Sequence, residues 1–241
     1  MLQTKNDKTK TPDDLFFTIG NTVFLLVAFA IVLYPILYII SASVSDPAVI
    51  VGGDLNLLPK GFNLNAYVRI FQNSNILTGY KNTIVYTVIG TAVNIIMTVL
   101  AAYPLSRSDF YGRRFFTIMI MITMFFSGGI IPTYLVVQSL GMINSFWALI
   151  IPTAVSAWNV FIMRSYFQTN IPEELLEAAM LDGCRNTRAL FTIVLPLSKP
   201  IIAVLVLFYG VGHWNSYFSA LIYLMKDTKF PLQLVIRQII L

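Results

Sequence analysis

Apolar residues run along this chain in long uninterrupted blocks, neither alternating at period two nor striping one face of short helices. Blocks of some 20 apolar residues are long enough, as helices, to cross about 30 Å of hydrocarbon. The pattern predicts five: Leu15 to Ile40, with Pro35 kinking its later half; Asn82 to Leu105; Phe115 to Gln138, interrupted by Ser127-Gly128-Gly129 and Pro132; Ser145 to Met163; and Pro200 to Met225. Between the first two, Ser41 to Lys81 is rich in Gly, Asn, Asp and Pro, predicting loop with a short interfacial helix at Leu64 to Phe71. Residues 165–199 form a charged, helix-forming island. The tail from Lys226 to Leu241 has room after Leu234 for a helix of only about 12 Å, too short to cross. No repeat recurs at a fixed period. The expected fold is an all-α polytopic bundle.

Composition sharpens this picture. Of 241 residues, 57% are hydrophobic and 11% charged, and the mean hydropathy is +0.75. Soluble domains carry roughly a quarter charged residues, so lipid must cover most of this surface. The net charge of +5 is scattered among apolar segments instead of being gathered in a patch, which argues against a nucleic-acid partner. A single cysteine, Cys184, and a single histidine, His213, exclude a disulfide within the chain and Cys- or His-rich metal sites. The first block far exceeds a signal-peptide core of about 7–15 residues, so it reads as a retained helix although Ser41-Ala42-Ser43 resembles a cleavage site. Lys5, Lys8, Lys10, Arg107, Arg113, Arg114, Arg164, Arg185, Arg188 and Lys199 lie on one side of the bilayer. Lys60, Arg69, Lys81, Lys226, Lys229 and Arg237 lie on the other. The larger set faces the cytoplasm, which puts the N-terminal tail (residues 1–14) and the 165–199 island inside and leaves residues 15–241 as the membrane domain.

The island has helix-start and helix-stop chemistry. Pro172 suits a first helical position, Glu173 and Glu174 complement the helix dipole, and Gly183 supplies a stop. A second helical stretch bearing Arg185 and Arg188 is expected to break at Leu195-Pro196. Small Ala178 and Ala179 let a partner groove close onto the backbone, and Glu177 offers a carboxylate to a partner's donors. Read blandly, this is a surface helix with a solvated charge. However, Glu177-Ala178-Ala179, Asp182-Gly183 and Ile193-x-Leu195-Pro196 fit the spacing E-A-A-x3-G-x9-I-x-L-P, which chance rarely supplies.

Polar residues inside spans are costly and usually face a bundle interior or cavity. Asn94, Asn159, His213 and Asn215 are such residues. Trp158-Asn159 and Trp214-Asn215 pair a ring with an amide, as sugar sites do through stacking and paired hydrogen bonds. Tyr217 and Tyr223 add hydroxyls. The competing reading is hydrogen bonding between helices, favoured for His213, or interfacial anchoring of the tryptophans. The spans hold no Asp or Glu, which disfavours a membrane enzyme, a receptor-like signalling subunit or a proton-coupled carrier. A phosphate-binding Gly-x-x-x-x-Gly-Lys loop, a nucleophile elbow and a His-Glu-x-x-His motif are also absent.

The 172–200 island, Phe125-Phe126-Ser127-Gly128-Gly129-Ile130-Ile131-Pro132-Thr133-Tyr134-Leu135 and Gly212-His213-Trp214-Asn215-Ser216-Tyr217-Phe218 together resemble one family. It is the permease subunits of carbohydrate ABC importers, related to the maltose permeases, within the oligosaccharide or polysaccharide subgroup labelled LplC. The resemblance extends from about residue 15 onward. It implies a type I importer permease of MetI-like fold with a partner set: a second homologous permease, two ATPase subunits that hold ATP and Mg, and an extracellular solute-binding lipoprotein. It also implies that this chain binds no cofactor, and that the EAA loop (Glu177, Ala178, Ala179, Asp182, Gly183, Ile193, Leu195, Pro196) couples ATPase motion to the path of an oligosaccharide. Asn94, Trp158, Asn159, Trp214, Asn215 and Tyr217 are the substrate-path candidates. The coupling spacing is shared by importers of peptides, amino acids and metals, which remain the alternative. Family members have six spans, so the sequence reads as truncated before the sixth.

Overall fold

The computed structural model describes residues 12–240. Lys5, Lys8, Lys10 and most of the expected cytoplasmic tail therefore lie outside the described residues. The chain divides into two compact units, residues 1–72 and 73–241.

The first unit contains α1 (Pro12–Ser43), α2 (Pro47–Val51) and α3 (Asn65–Gln72). With 32 residues, α1 is about 48 Å long and stays helical through Pro35. The loop after it is held by its own polar groups. Ser41 Oγ donates to the Leu57 carbonyl, Ser45 Oγ accepts from Lys60 N–H at 3.1 Å, Asn63 N–H donates to Val44 O at 2.8 Å, and Tyr67 OH bonds Ser43 Oγ at 2.9 Å. Asp46 caps α2 by accepting from Ala48 N–H, a short helix the apolar pattern did not suggest. The expected interfacial helix at Leu64 to Phe71 is present as α3.

The second unit is built on α4 (Ser74–Ser106), a helix of 33 residues that begins two turns before the apolar block and carries Lys81 within it. Its buried face mixes small or polar residues, Gly79, Thr83, Gly90, Thr91, Asn94, Thr98 and Ala102, with the larger Ile76, Tyr86, Val99, Tyr103 and Leu105, while Ile84, Val88, Ile96 and Leu100 face outward. The small residues allow close backbone approach and the polar ones interhelical hydrogen bonds, by which helices associate in lipid.

Around α4 stand α5 (Arg113–Phe125), α6 (Ile130–Ser139), α7 (Trp147–Ile150) with a 3₁₀ turn at Ile151–Thr153, and α8 (Ala157–Asn170). The island follows as α9 (Glu173–Leu181), α10 (Asn186–Ala189), a π-helical turn at Leu190–Val194 and α11 (Leu195–Leu197). Then come α12 (Lys199–Trp214), α13 (Phe218–Tyr223) and α14 (Leu232–Ile240). One core joins α4, α8 and α12 through Ala102, Val160, Met163 and Leu205, all fully buried, with Leu176 of α9 and Leu190. A second core lies along the first half of α4 and gathers Val137, Ala148, Ala220, Leu232 and Leu234.

Two helices, α1 and α4, are long and apolar enough to cross a membrane, and three bent pairs raise the number of candidate spans to five. The boundaries differ from those read in the sequence. The third block is a hairpin: α5 and α6 meet at 117°, because Gly129 at φ +83° and ψ 178° adopts a conformation reserved for glycine. The fourth breaks at residues 154–156, bends by 54° and continues to Asn170, so the loop proper begins at Ile171. The fifth ends at Trp214, where the Asn215 N–H turns back to Val211 O, and helix resumes only at Phe218. The tail is packed against α4: Asn82 Nδ2 donates to the Thr228 and Phe230 carbonyls at 2.9 and 3.0 Å, Tyr86 OH donates to Lys229 O at 2.9 Å, and Thr83 Oγ1 accepts from Leu232 N–H at 2.8 Å.

Candidate functional site

The breaks in the fourth and fifth blocks face the same space. A cleft of about 500 Å³ is lined by Asn94 of α4, Thr153, Ser156 and Asn159 beside the first break, and Phe208, Tyr209, Gly212 and His213 on α12. Asn215, Ser216, Tyr217, Phe218 and Ser219 at the second break complete it. Irregular backbone at membrane depth is tolerated where it borders a cavity, and interrupted helices commonly frame transport sites. Among the described residues, no Asp, Glu, Lys or Arg lines this cleft.

Asn94 organises one wall. Its Nδ2 donates to the Thr153 carbonyl at 2.6 Å, so its Oδ1 faces His213 Nε2, also at 2.6 Å. An amide oxygen only accepts, so Nε2 carries the proton, and in the neutral ring Nδ1 is left as an acceptor. The ring fits because residue 90 is glycine: a Cβ there would lie 2.6 Å from both Cε1 and Nε2 of His213. Nearby, Tyr209 OH and Thr98 Oγ1 are 2.7 Å apart. Asn94 and His213 thus have the interhelical role that competed with substrate contact in the sequence. Asn159 differs, since its side-chain amide borders the cleft and has no partner within the described residues. Asn215 donates to Val211 O at 3.0 Å and keeps its carbonyl oxygen free. The Tyr217 ring packs edge-on against Phe218 and lies 6.0 Å from the Arg237 guanidinium carbon.

Two expected residues are elsewhere. Trp158 lies in a separate groove with Phe161, Ile162 and Tyr166, and Trp214 is not among the cleft-lining residues. The aromatic side chains in the cleft are Phe208, Tyr217 and Phe218, each about half exposed, and the buried Tyr209. Phe208 and Gly212 lie on one face of α12 at i and i+4, with the C-cap Asn215 following at i+7, a spacing that marks this stripe in the sequence. Tyr223 is buried and stacks on Tyr134 at 6.2 Å, outside the cleft.

The island is built at the other end. Helix α9 starts at Glu173, one residue later than Pro172 suggested, with Pro172 in extended geometry before it. It ends in a Schellman turn: Gly183 N–H reaches Met180 O and Cys184 N–H reaches Ala179 O, both at 2.9 Å, with Gly183 at φ +77°. Leu176 anchors the helix in the core while Glu177, Ala178, Asp182 and Gly183 are exposed and Ala179 is half-buried. Glu173 accepts from Ser108 Oγ. Ile193 and Leu195 are partly buried and pack against the core, seating the loop. Pro196 does not end the helix. It lies in the first turn of α11, directly after the π turn. A π turn moves the upstream carbonyls away from the ring that an α turn would crowd. The break comes at Ser198, fully buried, where the arms meet at 82°.

Residues 76–238 match the family model for the inner membrane component of binding-protein-dependent transport systems. The chain belongs to that family. It is 44% identical over 218 residues to the polygalacturonan/rhamnogalacturonan transport system permease protein YtcP of Bacillus subtilis, covering 90% of this chain and 76% of that one. It is 43% identical over 223 residues to protein LplC of the same organism, covering 92% and 75%. Its fold matches the crystal structure of a bacterial ABC transporter involved in the import of the acidic polysaccharide alginate. There the TM-score is 0.90 at 36% identity, covering 96% of this chain and 82% of that chain. The protein is therefore a membrane-embedded transport subunit of MetI-like fold that serves a binding-protein-dependent system.

Proposed function

We propose that this chain is half of the translocation path of an ATP-driven oligosaccharide importer. A second homologous permease would form the other half, two ATPase subunits would hold ATP and Mg and engage the EAA loop, and an extracellular binding lipoprotein would deliver the solute. The observation that carries the reading is the cleft: unpaired amide and hydroxyl groups beside the half-exposed Phe208 and Phe218 rings, with no carboxylate or cationic side chain. Such a lining meets sugar hydroxyls by hydrogen bonds and sugar C–H faces by ring contact. It has no carboxylate or cationic side chain to pair with the charges of a zwitterionic amino acid, and one imidazole alone makes a poor metal site. The relatives named for polygalacturonan and alginate transport support the same class.

In this reading Asn159 contacts the sugar directly, Asn94 and His213 hold the wall in shape, and Glu177, Ala178, Asp182 and Gly183 face the ATPase. The N-terminal tail (residues 1–14) is cytoplasmic, following the distribution of lysine and arginine. The test is ATPase stimulation in the reconstituted complex against a panel of oligosaccharides, dipeptides and metal ions. Stimulation by oligosaccharides alone is expected, with Asn159→Ala weakening it about tenfold, the worth of one lost hydrogen bond in a dry site. Stimulation by a dipeptide or metal ion instead would refute the reading.

A further inference from the structure

A second hollow, of about 660 Å³, lies at the end of the molecule that carries the EAA loop. It is formed by Ser108 to Gly112 between α4 and α5, the first turns of α5 and Arg164 of α8. Three guanidinium groups line it, from Arg113, Arg114 and Arg164, against one carboxylate, Asp109. That carboxylate is occupied by Arg107, whose Nε lies 3.2 Å from Asp109 Oδ1. Arg164 finds only the Thr117 hydroxyl, at 3.3 Å, and its buried Nε has no acceptor. Arg113 reaches the Arg107 carbonyl at 3.5 Å and sits close enough to Arg164 to repel it. Arg114 is exposed and bonds to nothing among the described residues.

The backbone adds donors to the same place. Helix α5 has 13 residues, and its cap, Gly112, offers no side-chain acceptor. Arg113 N–H turns back to Phe110 O and Phe116 N–H to Gly112 O, leaving the Arg114 and Phe115 N–H groups unbonded at the positive end of the helix dipole. Like charges crowded together around unfilled donors call for an anion. Phosphate oxygens satisfy this geometry, bridging guanidinium forks and helix-start amides. The surroundings say which phosphate: α5 buries none of its residues, its exposed apolar side chains, Phe115, Ile118 and Ile122 among them, continue along the helix from the hollow, and Tyr111 beside it is almost wholly exposed. A soluble anion has no use for such a surface, whereas an acyl chain does.

We propose that this hollow binds the headgroup phosphate of an anionic phospholipid, with a chain laid along Phe115, Ile118 and Ile122. The site does not depend on the sugar reading, because it shares no residue with the cleft. The test is native mass spectrometry of the full chain in detergent, titrated with phosphatidylglycerol, phosphatidylcholine or inorganic phosphate. Phosphatidylglycerol is expected to be retained at one per chain, about tenfold more tightly than phosphatidylcholine, with that preference abolished in Arg113→Gln/Arg164→Gln. Arg114→Gln, on an exposed side chain that the fold does not use, should reduce the preference about threefold and decides the matter if the double variant does not fold. Equal retention of the two lipids, an unchanged preference in Arg114→Gln, or displacement of phosphatidylglycerol by inorganic phosphate each overturns the proposal.

Discussion

Single glycines set the fine geometry of both ends of the molecule, for different reasons. Gly90 is required for space. A methyl group there would overlap the His213 ring at 2.6 Å, so Gly90→Ala must expel the ring and break its bond to Asn94. We expect a loss of about 1–3 kcal/mol, read as a lower Tm in detergent. Gly210→Ala meets only Thr91 Oγ1, at 3.8 Å, and should leave Tm nearly unchanged. An equal effect of both changes would remove the packing argument. Gly183 is required for its backbone, since a Cβ there meets nothing within 4 Å but φ is +77°. Gly183→Leu should cost about 1–2 kcal/mol of local strain and abolish uptake while membrane insertion persists. Gly183→Asn, whose side chain tolerates the left-handed region, should keep most of the uptake. If the Leu variant transports normally, the turn does not matter to coupling.

At the scale of elements, the sequence was most readable where one physical cause dominated. Long uncharged runs made α1 and α4 visible, because nothing but lipid tolerates them. The Schellman turn was visible in Gly183, and Asn159 stood out because an amide within a span is expensive. The end of α12 at Trp214 was hidden, since Pro200 to Met225 carries no charge and composition alone contains no break. The phenylalanines of the lining were missed for a similar reason: phenylalanine in a span is unremarkable until a helix face is assigned, and Trp158 was favoured by its adjacency to Asn159. The hairpin between α5 and α6 was half-visible, as an interruption without an angle. Gly129→Ala tests it. With no atom near its Cβ, the change acts only through its backbone conformation, worth about 1–3 kcal/mol. Amide exchange across Phe126 to Pro132 should rise, and unaltered protection there would show that the bend does not need glycine.

For the molecule as a whole, what remains uncovered beyond the apolar spans is informative. Leu181 is 90% exposed at the end of α9, with Glu177, Asp182 and Arg185 close by in the chain. An isolated apolar residue on a surface needs no explanation by itself, but on the proposed coupling helix it gives the proposed ATPase contact an apolar anchor. Leu181→Asp should weaken co-purification of the ATPase about tenfold or more while leaving Tm unchanged, because the side chain supports nothing in its own fold. Undiminished co-purification would place the ATPase contact elsewhere. Another tie lies within the second unit. Residue 144 is an asparagine at φ +59° whose N–H bonds Tyr223 O at 2.7 Å and whose side chain accepts from Met225 and Lys226 N–H. This clasp ties the turn after α6 to the segment between α13 and α14.

The corner at Ser198 determines the form that a displacement at the island takes. For arms crossing at 82°, thrust along the lower one has only about a seventh of its magnitude along the upper one, so nearly all of it tips α12 and little slides it lengthwise. Over 16 residues, some 24 Å of rod, a tip of about 5° sweeps the far end sideways by about 2 Å. Phe208 and Gly212 ride on that far half, which makes the width of the cleft a matter of leverage, amplified by the length of the helix.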